Sequence, residues 1–216
     1  MKKNIIILFV FISLVLMIPA SAMVLTQEDF DDLNSQTLAA RWHVNADLQA
    51  GEVKIDSIGG KGSALIISDV SSQHQIICSK DITPIGEDFA VEYDVMLTEP
   101  TNQATSALYI DRAVCLAFIH DKLVIFDGSR PKDVMGYEHG KWYHIMYFIN
   151  IKAKTFSLYI DDLLKYDNIS FRENIDAVNY IRCETGASHN KGKLCIDNIV
   201  LRELNDSEKI SLQAAS

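Results

Sequence analysis

The nine residues Phe89-Ala-Val-Glu-Tyr-Asp-Val-Met-Leu97 decide the fold class. Phe89, Val91, Tyr93, Val95 and Leu97 alternate with Glu92 and Asp94, so one face is an apolar row and the other carries carboxylates, the mark of a half-buried strand. Thr155-Phe-Ser-Leu-Tyr-Ile160 repeats the pattern, with Phe156, Leu158 and Ile160 on one side and Thr155, Ser157 and Tyr159 on the other. Trp142–Ile151 is a longer apolar run whose β-branched and aromatic content favours a strand over a helix. The polar turn Lys152-Ala-Lys154 makes those two runs a hairpin. Further strands are predicted at Val53–Ile55, Ser63–Ser68, Gln75–Cys78, Ser106–Ile110, Val114–Ile119, Leu123–Phe126, Ala177–Cys183 and Lys193–Leu201. Ten or more short strands spaced by Gly, Asn, Asp and Ser turns predict an all-β sandwich or barrel. A helix is expected only at Glu28–Leu38, with a helical turn near Ser207–Leu212 in a tail expected to fray.

Around this body the chain divides simply. Lys2 and Lys3, the apolar run Ile5–Leu16 and the small residues Ala20-Ser21-Ala22 have the layout of a secretory leader over residues 1–22. One domain follows at 23–204, then a polar tail at 205–216. Loss of the two leader lysines moves the net charge from −9 to −11. That acidity argues against nucleic acid or an anionic membrane surface as the main partner. No later stretch approaches the ~18 apolar residues of a membrane span. The leader implies a secreted protein, extracellular or periplasmic, and Met23 at the junction gives no lipid-anchor cysteine.

Cys78, Cys115, Cys183 and Cys195 are an even number of cysteines in a chain expected to meet an oxidising compartment. The polar, Gly-containing stretch between Cys183 and Cys195 reads as a hairpin loop, which favours a Cys183–Cys195 disulfide and leaves Cys78 for Cys115. Buried free thiols are the other reading. Zinc is disfavoured, because no close C-x-x-C and no H-x-x-x-H spacing is present.

Three segments in order carry a resemblance: Glu28-Asp-Phe-Asp-Asp-Leu33 with Ala40-Arg-Trp-His-Val44, then Gly140-Lys-Trp-Tyr-His-Ile145 with Thr155–Asp162, then Leu194-Cys-Ile-Asp-Asn-Ile-Val-Leu201. The arrangement resembles the concanavalin A-like lectin/glucanase jelly rolls, particularly the laminin-G-like group. The resemblance implies a two-sheet antiparallel β-sandwich whose last strand pairs beside the first, with a sugar-binding groove on a concave sheet in many relatives. It also implies, in some relatives, a structural calcium between the first and last strands. Asp29, Asp31 or Asp32, and Asp197 are the positions available for it here; no cofactor is otherwise required. Asp161-Asp162 departs from the group's usual Asp-Gly and predicts a different hairpin turn.

Hydrolases of that superfamily carry Glu-x-Asp-x-(x)-Glu on one strand. Glu92 and Asp94 match the first two positions, but Met96 and Leu97 occupy the third, so no acid/base completes the set. A catalytic role for His144, on one face with Trp142, is weighed and set aside, since an isolated strand histidine is ordinarily structural. No nucleophile elbow, P-loop or dinucleotide fingerprint is present. The reading is therefore a secreted binding module, non-catalytic, for a polysaccharide or oligosaccharide. A glycoside hydrolase or polysaccharide lyase of the same superfamily, and a structural or adhesion protein binding an extracellular protein, stay open. Sugar rings stack on exposed aromatic faces with polar groups at the rim. The candidate binding residues are Tyr109, Tyr137 and Tyr159, Arg130 in a long loop over Asp127–His139, and Glu92, Asp94 and His144 if their face is the concave one. Trp42, Trp142 and Tyr93 are expected in the core.

Overall fold

The computed structural model describes residues 22–46, 51–58, 60, 62–71, 73–99, 106–186 and 193–214, so the leader expected at residues 1–22 falls, but for its last residue, outside them. In chain order the elements are β1 (Val24–Glu28), α1 (Ser35–Arg41), β2 (His43–Asn45), β3 (Gly51–Ser57), β4 (Ser63–Asp69), β5 (Ile77–Ile85), β6 (Phe89–Leu97) and β7 (Ser106–Ile110). They continue with β8 (Val114–Ile119), β9 (Lys122–Asp127), β10 (Arg130–Gly136), β11 (Tyr143–Asn150), β12 (Thr155–Ile160), β13 (Leu163–Ser170), β14 (Val178–Thr185), β15 (Lys193–Glu203) and α2 (Asp206–Ala214).

These strands build two antiparallel sheets. One has eight strands in the order β13-β12-β11-β6-β15-β4-β3, with β1 also on β15; the other runs β10-β9-β8-β7-β14-β5-β2. Strand β15 is shared along its length: Lys193–Ile196 pair with β4, while Ile199–Arg202 pair with β1. The last strand therefore lies beside the first, as expected. Alternation fills the space between the sheets with Phe89, Val91, Tyr93, Val95 and Leu97 from β6, and with Tyr143, Ile145, Tyr147 and Ile149 from β11. From the other sheet come Leu108, Leu116, Phe118, Ile125 and Ile181, among others. The Tyr93 and Tyr147 hydroxyls, both buried, satisfy each other at 3.2 Å.

Several expectations need correcting. Helix α1 starts at Ser35 because the Asn34 side chain accepts the Gln36 and Thr37 N–H groups at 3.0 Å, a helix-starting cap. Of the residues expected ahead of it, Glu28 ends β1, paired with Ile199 of β15, and residues 29–34 form the turn that leads into the helix. Arg130–Gly136, read as part of a long loop, is the edge strand β10, whose exposed and polar side chains hid the alternation. The two-residue turn at Asp161-Asp162 has φ of 51° and 62° at both positions, the primed hairpin geometry that matches strand twist. At Gly62, before β4, an added Cβ would lie 2.0 Å from the Asp31 carboxylate and would force that side chain to move.

The four cysteines are buried free thiols. Neither expected disulfide forms, and topology is the reason. Strands β14 and β15 belong to different sheets, so the stretch between Cys183 and Cys195 links the sheets and closes no hairpin. Cys183 packs in the core between the sheets, whereas Cys195 packs with Ile66 and Met96 on the outside of the eight-stranded sheet. Cys78 likewise faces the inter-sheet core, and Cys115 the outside of the seven-stranded sheet.

The tail is docked, contrary to expectation. Leu212 of α2 packs with Ala90, Phe148 and Leu204 on the outer face of the eight-stranded sheet. Arg202 holds the helix from below: its Nη1 and Nη2 each donate to Glu208 at 2.8 Å and its Nε donates to Glu92 at 2.7 Å. No helix among the described residues is long and apolar enough to cross a membrane.

Candidate functional site

The expected binding residues separate onto opposite sides of the sandwich. Glu92, Asp94, His144 and Tyr159 share the outer face of the eight-stranded sheet, since their strand neighbours of opposite parity fill the core. There the carboxylates are engaged. Glu92 accepts from Arg202; Asp94 Oδ1 lies 3.0 Å from His144 Nδ1 and its Oδ2 accepts from Asn198 Nδ2 at 3.0 Å. Tyr159 leans on Phe148 with ring centroids 5.1 Å apart. Trp142, expected in the core, is half-buried on this same face beside Ile66, Met96 and Cys195, because strand parity sends Tyr143 inward instead. Tyr137 is buried: its ring meets Phe118 edge-on and its hydroxyl donates to the His120 carbonyl at 2.9 Å, so it offers no binding surface. Arg130 is exposed at the start of β10.

Asp29, Asp31 and Asp197 do come into one neighbourhood. Burial, followed by the charges of Asp94, Asp29 and Asp31, pushes the Asp197 carboxyl upward against the hydrogen bond from the Asn198 N–H. Asp29 accepts the Asp31 N–H at 3.0 Å, and Asp31 accepts the Ser63 N–H. Among the described residues no three His, Cys, Asp or Glu side chains converge to hold a metal ion.

Tyr109 stands apart on the outer face of the seven-stranded sheet. Antiparallel register lines up His43, Ser79, Arg182, Tyr109 and Cys115 as one row across β2, β5, β14, β7 and β8. Cross-strand neighbours on one face are ~5 Å apart, within side-chain reach. Arg182 accordingly lies over the Tyr109 ring, its carbon centre 4.3 Å from the ring centroid. A second guanidinium, Arg172, approaches the Tyr109 and Phe126 rings at 5.7 and 5.3 Å. It comes from the segment that crosses between the sheets after β13 and is fixed there by its backbone N–H donating to Ala113 O at 2.8 Å. The floor beneath is small and apolar, Cys115 and Ala117, rimmed by Ile119 and Phe126.

Glu184, two residues along β14 and on the same face, completes the group. It accepts the Tyr109 hydroxyl at 2.7 Å and lies 3.2 Å from Arg182 Nη2. Burial, then the adjacent Cys115 thiol and Glu184, push the Tyr109 phenol well above its ordinary value, so it stays a donor to Glu184. Arg182 Nε is buried and has no hydrogen-bond partner among the described residues. No carboxylate among the described residues pairs with Arg172, so two guanidiniums stand here against Glu184 alone in a chain of net charge −9. Such a surface can stack a flat apolar patch and hold an anionic or hydroxyl-rich group by directed donors. Period-two reasoning found Tyr109; Arg172 was beyond it, because a crossover segment and not a strand delivers that side chain.

An antiparallel sandwich bearing an open sheet face of aromatic rings, guanidiniums and a carboxylate has the character of a sugar-binding module. Residues 78–193 match the family described as "Sialidase-like, CBM domain". That is more than half of the chain, which therefore belongs to this family of carbohydrate-binding modules. The match spans β5 to the start of β15 and so includes Tyr109, Arg172, Arg182 and Glu184. No curated protein matches the sequence. Among solved structures, a sialidase aligns with a TM-score of 0.71 at 16% identity, covering 88% of this chain and 19% of that one. The ligand-binding domain of botulinum neurotoxin serotype D, solved with N-acetylneuraminic acid, aligns at 0.52 with 16% identity, covering 81% of this chain and 45% of that one. The T. cruzi calreticulin globular domain aligns at 0.59 with 10% identity, covering 89% and 95%. At these identities the likenesses speak to the fold. The chain spans about a fifth of the sialidase's length.

Proposed function

We propose that this chain is an exported, non-catalytic carbohydrate-binding module of the concanavalin A-like jelly-roll type. Its ligand is a glycan ending in an acidic sugar of the N-acetylneuraminic acid kind, bound on the outer face of the seven-stranded sheet. The observation that carries this reading is the pair of guanidiniums, Arg172 and Arg182, flanking one tyrosine ring beside Glu184. A sugar carboxylate suits the guanidiniums, the ring supplies an apolar wall, and Glu184 offers acceptor capacity to a hydroxyl or amide N–H. The neurotoxin domain solved with N-acetylneuraminic acid supports the ligand class, and the leader-like segment supports export. The engagement of Glu92 by Arg202 and of Asp94 by His144 and Asn198 supports a binding role over hydrolysis.

The test is calorimetric titration of the purified chain with a trisaccharide ending in N-acetylneuraminic acid and with the same disaccharide lacking it. Saturable binding of the first and at least tenfold weaker binding of the second is expected. Arg182→Ala and Arg172→Ala should each weaken it by roughly 10–100-fold, the worth of a charge-assisted hydrogen bond of ~1.5–3 kcal/mol. Equal binding of both sugars, or unchanged affinity in the double variant, overturns the ligand and the site. Sugar release during the titration overturns the non-catalytic reading.

A further inference from the structure

We propose that Cys78 and Cys183 close a single cross-strand disulfide between β5 and β14 when the chain folds in the presence of a disulfide oxidant. Of the four cysteines, these two alone stand opposite each other: Cys183 pairs in register with Cys78, whereas Cys115 faces Tyr109, and Cys195 faces Ile66 and Met96. Directly opposed residues of antiparallel strands have Cα atoms ~4.5–5.5 Å apart, inside the ~4.4–6.8 Å span of disulfides. Both side chains point the same way, into the inter-sheet core, and both residues are fully buried. The two thiols are near enough that Cys78 adds to the upward push that burial exerts on Cys183. The inference rests on strand register and is independent of the functional reading.

The chemistry balances with a small disulfide such as oxidised glutathione. One cysteine thiolate attacks a glutathione sulfur, breaking its S–S bond and releasing one glutathione as thiolate. The second cysteine thiolate then attacks the mixed disulfide, forming Cys78–Cys183 and releasing the second glutathione. The two protons lost by the cysteines end on the two glutathiones; the cysteines are oxidised and glutathione is reduced. Timing follows from burial, which pushes the Cys78 thiol up to about 12. A buried thiol is almost wholly protonated at neutral pH and the thiolate is the nucleophile, so the bond closes before the core does.

The experiment refolds the full chain in a mixture of reduced and oxidised glutathione, blocks free thiols in denaturant, digests without reductant and maps linked peptides by mass spectrometry. One linked pair, Cys78 with Cys183, and two blocked cysteines, Cys115 and Cys195, are expected. The oxidised chain should melt roughly 5–15 °C above the reduced one, and Cys183→Ser should abolish that difference. Four blocked cysteines, or Cys78 or Cys183 linked to either other cysteine, overturns the proposal. Peptide mapping of the unsubstituted chain decides the matter even if Cys183→Ser does not fold.

Discussion

Replacing Arg202 by methionine removes the guanidinium that ties α2 to the sheet while keeping most of the stem's bulk. Three charged hydrogen bonds of 2.7–2.8 Å disappear, two to Glu208 and one to Glu92. Fully buried ion pairs cost ~3–5 kcal/mol to break by removing one partner, and exposed ones ~0–1. The three side chains are 17%, 24% and 13% exposed for Arg202, Glu92 and Glu208, so the value falls between these limits, about 2–3 kcal/mol. For a domain of this size that lowers Tm by roughly 5–10 °C. The pH dependence has a definite sign. Burial works to raise the Glu208 pKa, but the hydrogen bonds from Arg202 and the Asn205 N–H outweigh it and leave it below the ordinary glutamate value. A depressed folded-state pKa contributes stability that is full above the unfolded value, roughly 4.3, and is lost as pH falls through the folded value. Thermal melts of both proteins from pH 7 to pH 3, with amide exchange across α2, provide the assay. The gap between them should be widest at pH 7 and close at the acid end, with α2 amides exchanging faster in Arg202→Met. A melting point within about 1 °C of the unsubstituted chain at pH 7, or a gap that persists unchanged to pH 3, refutes the reasoning.

The buried hydroxyl pair offers a second check. Tyr93→Phe leaves the Tyr147 hydroxyl without its 3.2 Å partner and should cost ~1–3 kcal/mol in denaturant unfolding, while Tyr93→Phe with Tyr147→Phe should recover most of that loss. Additive losses in the double variant would contradict the pairing. At the β12–β13 turn, Asp162→Gly should stabilise by roughly 0.5–1 kcal/mol, because φ at that position is 62° and glycine adopts it without strain. Asp161 has to stay, since its side chain accepts the His144 N–H at 3.0 Å, so Asp161→Gly should gain less or lose stability in the same measurement.

What could be read from the chain depended on burial. Strands β6 and β12 set an apolar row on one face, and a wrong register would expose that row, so their alternation is strong and their limits were legible, while β8 reads as an unbroken apolar run buried on both faces. Strands β10 and β13 are sheet edges; Arg130, Lys132 and Asp133 of the one and Leu163 and Leu164 of the other break the pattern, and both strands were missed. Pairing across the two sheets was invisible for another reason. Residues 178–185 and 193–203 look alike as apolar strands, and nothing local tells that they join different sheets. The cysteine pairing failed on that ambiguity. The binding residues were partly legible, since Tyr109 follows from parity, while its partners Arg172 and Glu184 are set by a crossover and by register with β7.

The pairing of β1 with β15 has a consequence for how the module can be joined to other things. Met23 O accepts the Glu203 N–H at 2.9 Å, so both described ends of the sandwich leave from the eight-stranded sheet, and the Arg182–Tyr109 row occupies the far side of the other sheet. A tether at either end, to a bead or to a neighbouring domain, leaves that row facing outward. Copies strung in series through such tethers would raise the effective concentration of each next site into the millimolar range when linker length matches ligand spacing. An array of this kind gains avidity for densely presented glycans from single contacts that are individually weak.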